Sequence, residues 1–379
     1  MTDRFPVKDE PRSMRVGLVI YGDISTASGG FLYDRMLADA LRRGGDTVEV
    51  ISFPWKGYGK RLLQNLDRGL RAALLGWTGD LLLQDELNHP SLFLLNRAFK
   101  RSRTVPVISI VHHLRSSERN PVFARGVYRR AERAYLRSVD GFVFNSRATR
   151  ESVERLIGRP VQGIVATPGG DRLGPLPTDE EVLRRCSEKA PLRVLFVGNI
   201  IPRKGLIGVI DALGQIPSHL WRLSIAGSRG MDPAYAIEVD RAVAARGLAG
   251  NVRMAGTLDD AQLAEAYRTH HVLAVPSQYE GFGIVYLEAM GFGMVPIGSR
   301  TGGAAEVIEH GKSGWLVPPG DSRALADAIA GLAVDRAFLR ALALEARRRF
   351  CAFPGWETGM TAIREHLHGL VRQKGARHG

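Results

Sequence analysis

Only two cysteines, Cys186 and Cys351, occur in 379 residues, too few for a disulfide framework and not at a metal-ligand spacing. Their scarcity points to a reducing compartment, the cytoplasm. No apolar run approaches the roughly 18–20 residues a membrane span needs. The opening MTDRFPVKDEPRSMR has no apolar core of a signal peptide and reads as a loose tail over 1–13. Several catalytic signatures are missing. There is no Walker loop, no His-Glu-x-x-His helix and no Gly-x-Ser-x-Gly elbow. The first strand is not followed by Gly-x-Gly-x-x-Gly, and no Asp-x-Asp is available to hold a cation. Neither a metal nor a cofactor is expected.

Acidic residues are in short supply, 39 against 52 Lys and Arg, for a formal charge of +13. Residues 1–190 carry 31 basic and 22 acidic side chains, and residues 191–379 carry 21 and 17, so the excess sits mainly in the first half. The stretch Arg97–Arg137 alone holds 11 basic residues and only Glu118 and Glu132. Such a field favours anionic partners: phosphates, an anionic membrane surface or nucleic acid. With 45% hydrophobic and 24% charged residues the chain can bury a large core, which excludes disorder, collagen and coiled coil. The 43 glycines, about 11% against a usual 7%, indicate many tight turns or close backbone–ligand approaches.

Short β-branched runs alternate with helical periodicity throughout, the pattern of parallel α/β units. Strands are expected at Arg15–Tyr21, Thr47–Phe53, Leu81–Gln84, Pro106–Val111, Gly141–Phe144 and Val161–Ala166. A second set is expected at Leu192–Val197, Arg222–Ala226, Val252–Ala255, Val272–Val275, Met294–Ile297 and Trp315–Val317. Most are continuous apolar runs, as strands covered on both faces should be. The two halves open alike, each with a buried strand, a glycine-containing turn and a helix. The reading is therefore α/β, with two doubly wound domains at 14–174 and 191–353, a Pro-rich charged linker at 175–190, and a terminal helical segment at 354–379. Ligands of such sheets bind beyond the carboxyl ends of the strands, which here implies a cleft between domains.

The most informative stretch is PSQYEGFGIVYLEAMGFGMVPIGSRTGGAAEVIEHGKSGWLVPPGD, Pro276–Asp321. A strand ends at Val275, Glu280-Gly281-Phe282-Gly283 forms a loop, and a helix follows from about Ile284. Free N–H groups and the dipole at that helix start suit a diphosphate or its sugar. Glu280 at the loop mouth can accept hydrogen bonds from sugar hydroxyls, and Glu288 can hold a ribose diol. The bland alternative makes Glu280 a helix cap and leaves Glu288 in solvent. A second glycine turn, Thr301-Gly302-Gly303, weighs against it by bringing another backbone close to one ligand.

This stretch resembles the glutamate–seven residues–glutamate signature of retaining glycosyltransferases with the GT-B fold, specifically glycosyltransferase family 4. FVGNIIPRKGL resembles the family's donor-phosphate turn, and VRMAGTLDDAQLAEAYRTHHVLAVPS its nucleotide-facing strand, helix and strand. The Gly29-Gly30 turn, the strand end at His112, ERAYLRSVDGFVFNSRATR and TPGGD resemble its N-terminal domain. PGWETGMTAIREHL resembles the last helix, which in this fold crosses back to the first domain. The resemblance implies two Rossmann-like domains facing a cleft. It further implies metal-independent transfer of a sugar, with retention, from a UDP- or GDP-linked donor to a hydroxyl acceptor. Carried over by position, His112 and Glu280 become the catalytic candidates. Gly30, Arg203, Lys204, Gly281, Phe282, Gly283, Glu288, Gly302 and Gly303 become donor-binding candidates. Asn199 stands where the family often has an arginine, so Arg203 is its candidate replacement; otherwise Arg203 and Lys204 are a solvated basic turn.

A last feature stands apart. Over Lys60–Trp77, leucines recur at helical spacing opposite Lys60, Arg61, Gln64, Asp67, Arg68 and Arg71. Such a helix either lies on an anionic membrane, making the protein peripheral on its inner face, or covers the N-terminal sheet. Two other functions stay open: a nucleotide-sugar epimerase of the same fold, and a non-catalytic basic protein that binds membrane or nucleic acid, nucleic acid ranking last.

Overall fold

A computed structural model describes residues 13–118 and 121–376. Of the segment 1–13 only Ser13 lies among them, and its hydroxyl donates to the Gly45 carbonyl at 2.7 Å.

The first domain runs β1 (Arg15–Tyr21), α1 (Gly29–Arg43), β2 (Thr47–Phe53), α2 (Tyr58–Leu63), α3 (Arg68–Gly76), β3 (Leu81–Asp85), α4 (His89–Ser102), β4 (Val107–Val111), α5 (Val122–Leu136), β5 (Gly141–Phe144), α6 (Arg147–Ile157) and β6 (Gly163–Val165). The second runs α7 (Asp179–Ser187), β7 (Leu192–Val197), α8 (Leu206–Leu213), β8 (Trp221–Ala226), α9 (Pro233–Ala245), β9 (Val252–Gly256), α10 (Asp260–Thr269), β10 (Val272–Val275), α11 (Ile284–Gly291), β11 (Val295–Ser299), α12 (Ala304–Val307), β12 (Trp315–Val317), α13 (Ser322–Val334) and α14 (Arg336–Cys351). A final helix, α15, spans Trp356–Ala376. The strands form two six-stranded parallel sheets, ordered β2-β1-β3-β4-β5-β6 and β12-β11-β10-β7-β8-β9. All twelve expected strands are present, six with the expected bounds and six with ends displaced by one or two residues.

Central strands β3, β4, β5, β10 and β11 are buried at every position, because helices cover both faces of each sheet. Helix starts carry the oxygen acceptors they need. Ser28 accepts from Phe31 N–H ahead of α1, Ser146 from Thr149 N–H ahead of α6, and Thr178 with Glu181 completes a capping box at α7. That box marks a correction. The segment 175–190 contains a helix whose Val182 and Cys186 are buried in the core of the second domain, so most of it is domain and not linker.

The terminal helix α15 returns to the first domain. Its Trp356, Met360, Ile363 and Leu367 fall at i, i+4, i+7 and i+11 and join the core beneath α1. Each such buried side chain contributes about 1.5–3 kcal/mol relative to exposure. The segment Lys60–Trp77 is not one helix. Gln64 and Asn65 turn their amides onto the carbonyls of Pro54, Leu62 and Pro90, ending α2, and Asp67 caps α3 afresh. Leu74 and Trp77 are buried on the sheet, whereas Leu63 and Leu66 are 67% and 73% exposed. Among the described residues no helix is long and apolar enough to cross a membrane.

Candidate functional site

The carboxyl ends of the two sheets face each other across a cavity of about 890 Å³. The first domain contributes the ends of β1, β3 and β4, and the second the turns after β7, β8 and β10. The floor is stitched across the domains. Ser146 Oγ donates to the Gly281 carbonyl at 2.6 Å, while within the first domain Asn145 Nδ2 donates to the His112 carbonyl at 2.9 Å. Glu306 of α12 accepts the N–H groups of Arg147 and Ala148 at 3.1 and 2.7 Å, placing a carboxylate at the positive end of α6.

Glu280 is held from three sides. Lys204 Nζ lies 2.7 Å from its Oε2, Ser277 Oγ donates to the same oxygen at 3.0 Å, and Arg203 stands 3.9 Å away. Burial disfavours the charged carboxylate, but Lys204 and Arg203 outweigh it and hold Glu280 at about 2. Burial also lowers Lys204, despite its partner. Arg203 donates to the Tyr279 carbonyl at 2.9 Å and pairs with Glu118 of the first domain at 3.2 Å. Neither basic residue is a solvated turn. Glu280 is not the cap of α11 either, since that position is Gly283.

The glycines divide into two kinds. A Cβ on Gly281 would lie 2.0 Å from the His112 carbonyl oxygen, so the β10–α11 loop touches the first domain through bare backbone. Gly283 has φ +96°, and with it the first N–H groups of α11 open on the cleft. Gly302 and Gly303 are not in the cavity wall. They sit behind the loop, where Gly303 N–H donates to the Glu280 carbonyl at 2.8 Å and a Cβ on Gly302 would lie 1.9 Å from that oxygen. They support the donor loop and do not contact the cleft. The Phe282 ring likewise points into the core, at 6.0 Å from Phe353.

Glu288 is 1% exposed, which removes the solvent alternative. Its oxygens accept from Arg172 Nε at 2.7 Å and from the Tyr267 hydroxyl at 3.1 Å. Burial raises its pKa and Arg172, itself paired with Asp260, opposes the rise. His112 directly follows β4 beside Gly30, whose Cβ would lie 3.1 Å from the imidazole. Its Nε2 donates to Asp34 Oδ1 at 3.0 Å. Burial works against the imidazolium, but Asp34, with Asp85 and Glu86 behind it, raises His112 to about 9. His113 also lines the cavity, paired with Glu118 at 2.9 Å.

Asp34, Arg172 and Tyr267 hold these candidates in place and were not singled out in the sequence. One signal was available. Asp34 lies on the buried stripe of α1, three residues from Phe31 and Leu37, where a carboxylate is out of place without a partner. Among the described residues two buried groups, Asp34–Asp85–His112 and Glu86–His89–Glu132, bring donor atoms within 4.8 Å of one another. In each the histidine is already engaged, His112 with Asp34 and His89 with Tyr58 and the Glu86 carbonyl, so neither is assigned to an ion.

Residues 181–349 match the family described as glycosyl transferases group 1, and residues 24–170 the glycosyl transferase 4-like domain. The D-inositol 3-phosphate glycosyltransferase of Xylanimonas cellulosilytica is 29% identical over 258 residues, 65% of this chain and 61% of that protein. The match thus spans about three fifths of such relatives. The glycogen synthase of Mycobacterium tuberculosis is 27% identical over 305 residues, 78% of this chain and 70% of that one. Among solved structures, sucrose-phosphate synthase from Thermosynechococcus elongatus superposes with TM-score 0.79 at 24% identity, covering 96% of this chain and 99% of that one. HepE from Anabaena, in complex with UDP and glucose, superposes with TM-score 0.74 at 21% identity, covering 94% and 100%. Two six-stranded parallel sheets across a cleft, with both halves matched by family, make the chain a GT-B member of the group 1 (family 4) glycosyltransferases.

Proposed function

We propose that the chain is a retaining glycosyltransferase that moves a sugar from a nucleoside diphosphate, UDP in the first instance, to a hydroxyl acceptor. The observation that carries this reading is the β10–α11 loop. Its two glycines expose helix-start amides to the cleft beside Lys204 and Arg203, and His112 faces them from the other sheet. Arg203, Lys204 and the Gly281–Gly283 amides take the diphosphate, Glu288 the ribose, and Glu280 with His112 the transferred sugar. The UDP complex of the Anabaena protein supports a uridine donor by likeness of fold.

Retention without a protein nucleophile assigns each atom a place. The acceptor oxygen attacks the anomeric carbon from the face that the diphosphate leaves. The carbon–oxygen bond to phosphate breaks, and the departing phosphate oxygen takes the acceptor proton. The protein contributes position and charge. Arg203 and Lys204 neutralise the growing negative charge, so no metal is required. The test is release of UDP from UDP-sugars across an acceptor panel, with the anomer of the product read by NMR. Release only with acceptor, and an unchanged anomeric configuration, support the reading. Interconversion of donor sugars without acceptor, or an inverted product, refutes it, and a preference for GDP-sugars would reassign the base.

We also propose that the first domain works in the cytoplasm, docked on anionic lipid. Exposed Leu63 of α2 and exposed Val122 and Phe123 at the start of α5 belong to helices that meet at the Tyr58–Tyr128 contact, and exposed Leu66, Lys60, Arg68 and Arg71 lie in or next to α2 and α3. A basic residue near an anionic surface adds about 1 kcal/mol. Sedimentation with anionic liposomes should fall with salt and with Leu63 and Leu66 changed to serine. A protein that stays in the supernatant at low salt refutes docking.

A further inference from the structure

Beyond the donor half of the cleft, the first domain's wall holds a cation in an unusual setting. Arg61 is 7% exposed and lines the cavity, yet no carboxylate pairs with it among the described residues, and its Nε has no hydrogen-bond partner. Three aromatic rings surround its guanidinium, with centroids at 5.2 Å (Tyr21), 5.3 Å (Trp55) and 5.6 Å (Tyr58). A second guanidinium, that of Arg115, lies 5.5 Å from the Tyr58 ring and 4.8 Å from Tyr128. Stacking occupies the faces of a guanidinium and leaves its N–H edges for a planar or tetrahedral oxyanion. Burying the unpaired charge of Arg61 is costly. A bound anion relieves that cost.

The rings are fixed in place. The Tyr58 hydroxyl bonds His89 Nε2 at 3.0 Å, and the Tyr21 hydroxyl bonds Ser91. Trp55, by contrast, is 51% exposed and lines the cavity, although its ring meets that of Tyr21 edge-to-face at 5.5 Å. An open indole beside fixed cations suits the apolar face of a sugar or polyol that carries an acid group. Against the effect of burial, Glu118 is held below the usual carboxylate range by His113, Arg203 and Arg115 and is charged on the Arg115 side of the pocket, whereas the carboxyls behind Arg61 are shifted the other way. Glu86 and Glu132 are both raised to about 7 by burial, which halves their charge at neutral pH, and buried His89 falls to about 4 and is uncharged.

We propose that Trp55, Tyr58, Arg61 and Arg115 form the acceptor pocket, and that the acceptor is a hydroxyl compound bearing a phosphate or carboxylate group. The ring lies against Trp55, and the anion bridges Arg61 and Arg115. This rests on the transferase reading above and adds the class of its acceptor. The anion has two sources, a soluble acidic sugar or the headgroup of an anionic lipid.

The experiment is calorimetric titration of the intact chain, without nucleotide, with glucose 6-phosphate and glucuronate against glucose. A parallel arm uses phosphatidylinositol vesicles against phosphatidylcholine vesicles. At least one anionic probe should bind tenfold or more tighter than its neutral counterpart, and the arm in which it does names the source. Arg61→Gln should abolish that preference and Arg61→Lys restore part of it. Trp55→Ala, at an exposed position that leaves the core intact, should weaken sugar binding at least threefold. UDP titrated into the same preparations should bind wild type and variants alike. Absence of UDP binding counts against the transferase reading alone. Equal affinity for charged and neutral probes in both arms, or wild-type binding by both Arg61→Gln and Trp55→Ala, overturns the anionic pocket.

Discussion

Replacing Asp34 by asparagine removes the carboxylate 3.0 Å from His112 Nε2 while keeping its shape. In the parent protein burial opposes the imidazolium and is overcome by Asp34, with Asp85 and Glu86 adding to it, so His112 titrates near 9. Without Asp34 the burial penalty faces only the two remoter acids, and His112 should titrate at or below the free imidazole value of about 6.5. A fall from about 9 to about 6.5 corresponds to about 3 kcal/mol in the preference for the charged form. The sign for stability follows from linkage. The folded value lies above the unfolded one, so the pair stabilises the fold fully below about pH 6.5 and loses that contribution as pH rises through about 9. The variant should lack this loss. Carbon-labelled histidine followed by NMR from pH 5.5 to 10 reads the titration, and urea unfolding at pH 6 and pH 9.5 reads the stability. At pH 7.5 the neutral imidazole of the variant should slow transfer tenfold or more if the cation assists the departing diphosphate. A parent His112 that titrates near 6.5, or a variant whose His112 still titrates near 9, would refute the reasoning.

Three further outcomes follow from the same geometry. Glu288→Ala should weaken UDP and UDP-sugar together, as titration will read, whereas Glu280→Ala should chiefly lower kcat. Excess EDTA should leave turnover intact, because Lys204, Arg203 and the loop amides carry the neutralising charge; a strict requirement for magnesium or manganese would sink that assignment. Gly302→Ala should lower the thermal midpoint, since φ of +69° and a Cβ 1.9 Å from the Glu280 carbonyl cost about 1–3 kcal/mol, and activity should fall with it as the loop shifts.

The strands were legible because parallel sheets covered on both faces write continuous apolar runs, and Val272–Val275 or Leu192–Val197 admit little else. Their ends were less so; Trp221 begins β8 one residue early because its indole is itself core. The loop Glu280–Gly283 was legible through its glycines. What escaped was pairing across long separations. Asp34 meets His112 and Arg172 meets Glu288 at 78 and 116 residues' remove, and no local period encodes either. The stretch Lys60–Trp77 misled for a different reason. Asp67 starts a new helix in nearly the phase of the old one, so the period survives a break that divides exposed Leu63 and Leu66 from buried Leu74.

If the cleft binds a nucleoside diphosphate through the loop of Glu280–Gly283 and through Glu288, calorimetric titration of UDP into wild type and into Glu288→Gln will separate the two proteins. Saturable one-to-one binding to wild type and at least tenfold weaker binding to a folded variant are expected. No binding to wild type by UDP or GDP, or equal binding by both proteins, would contradict that mode of binding.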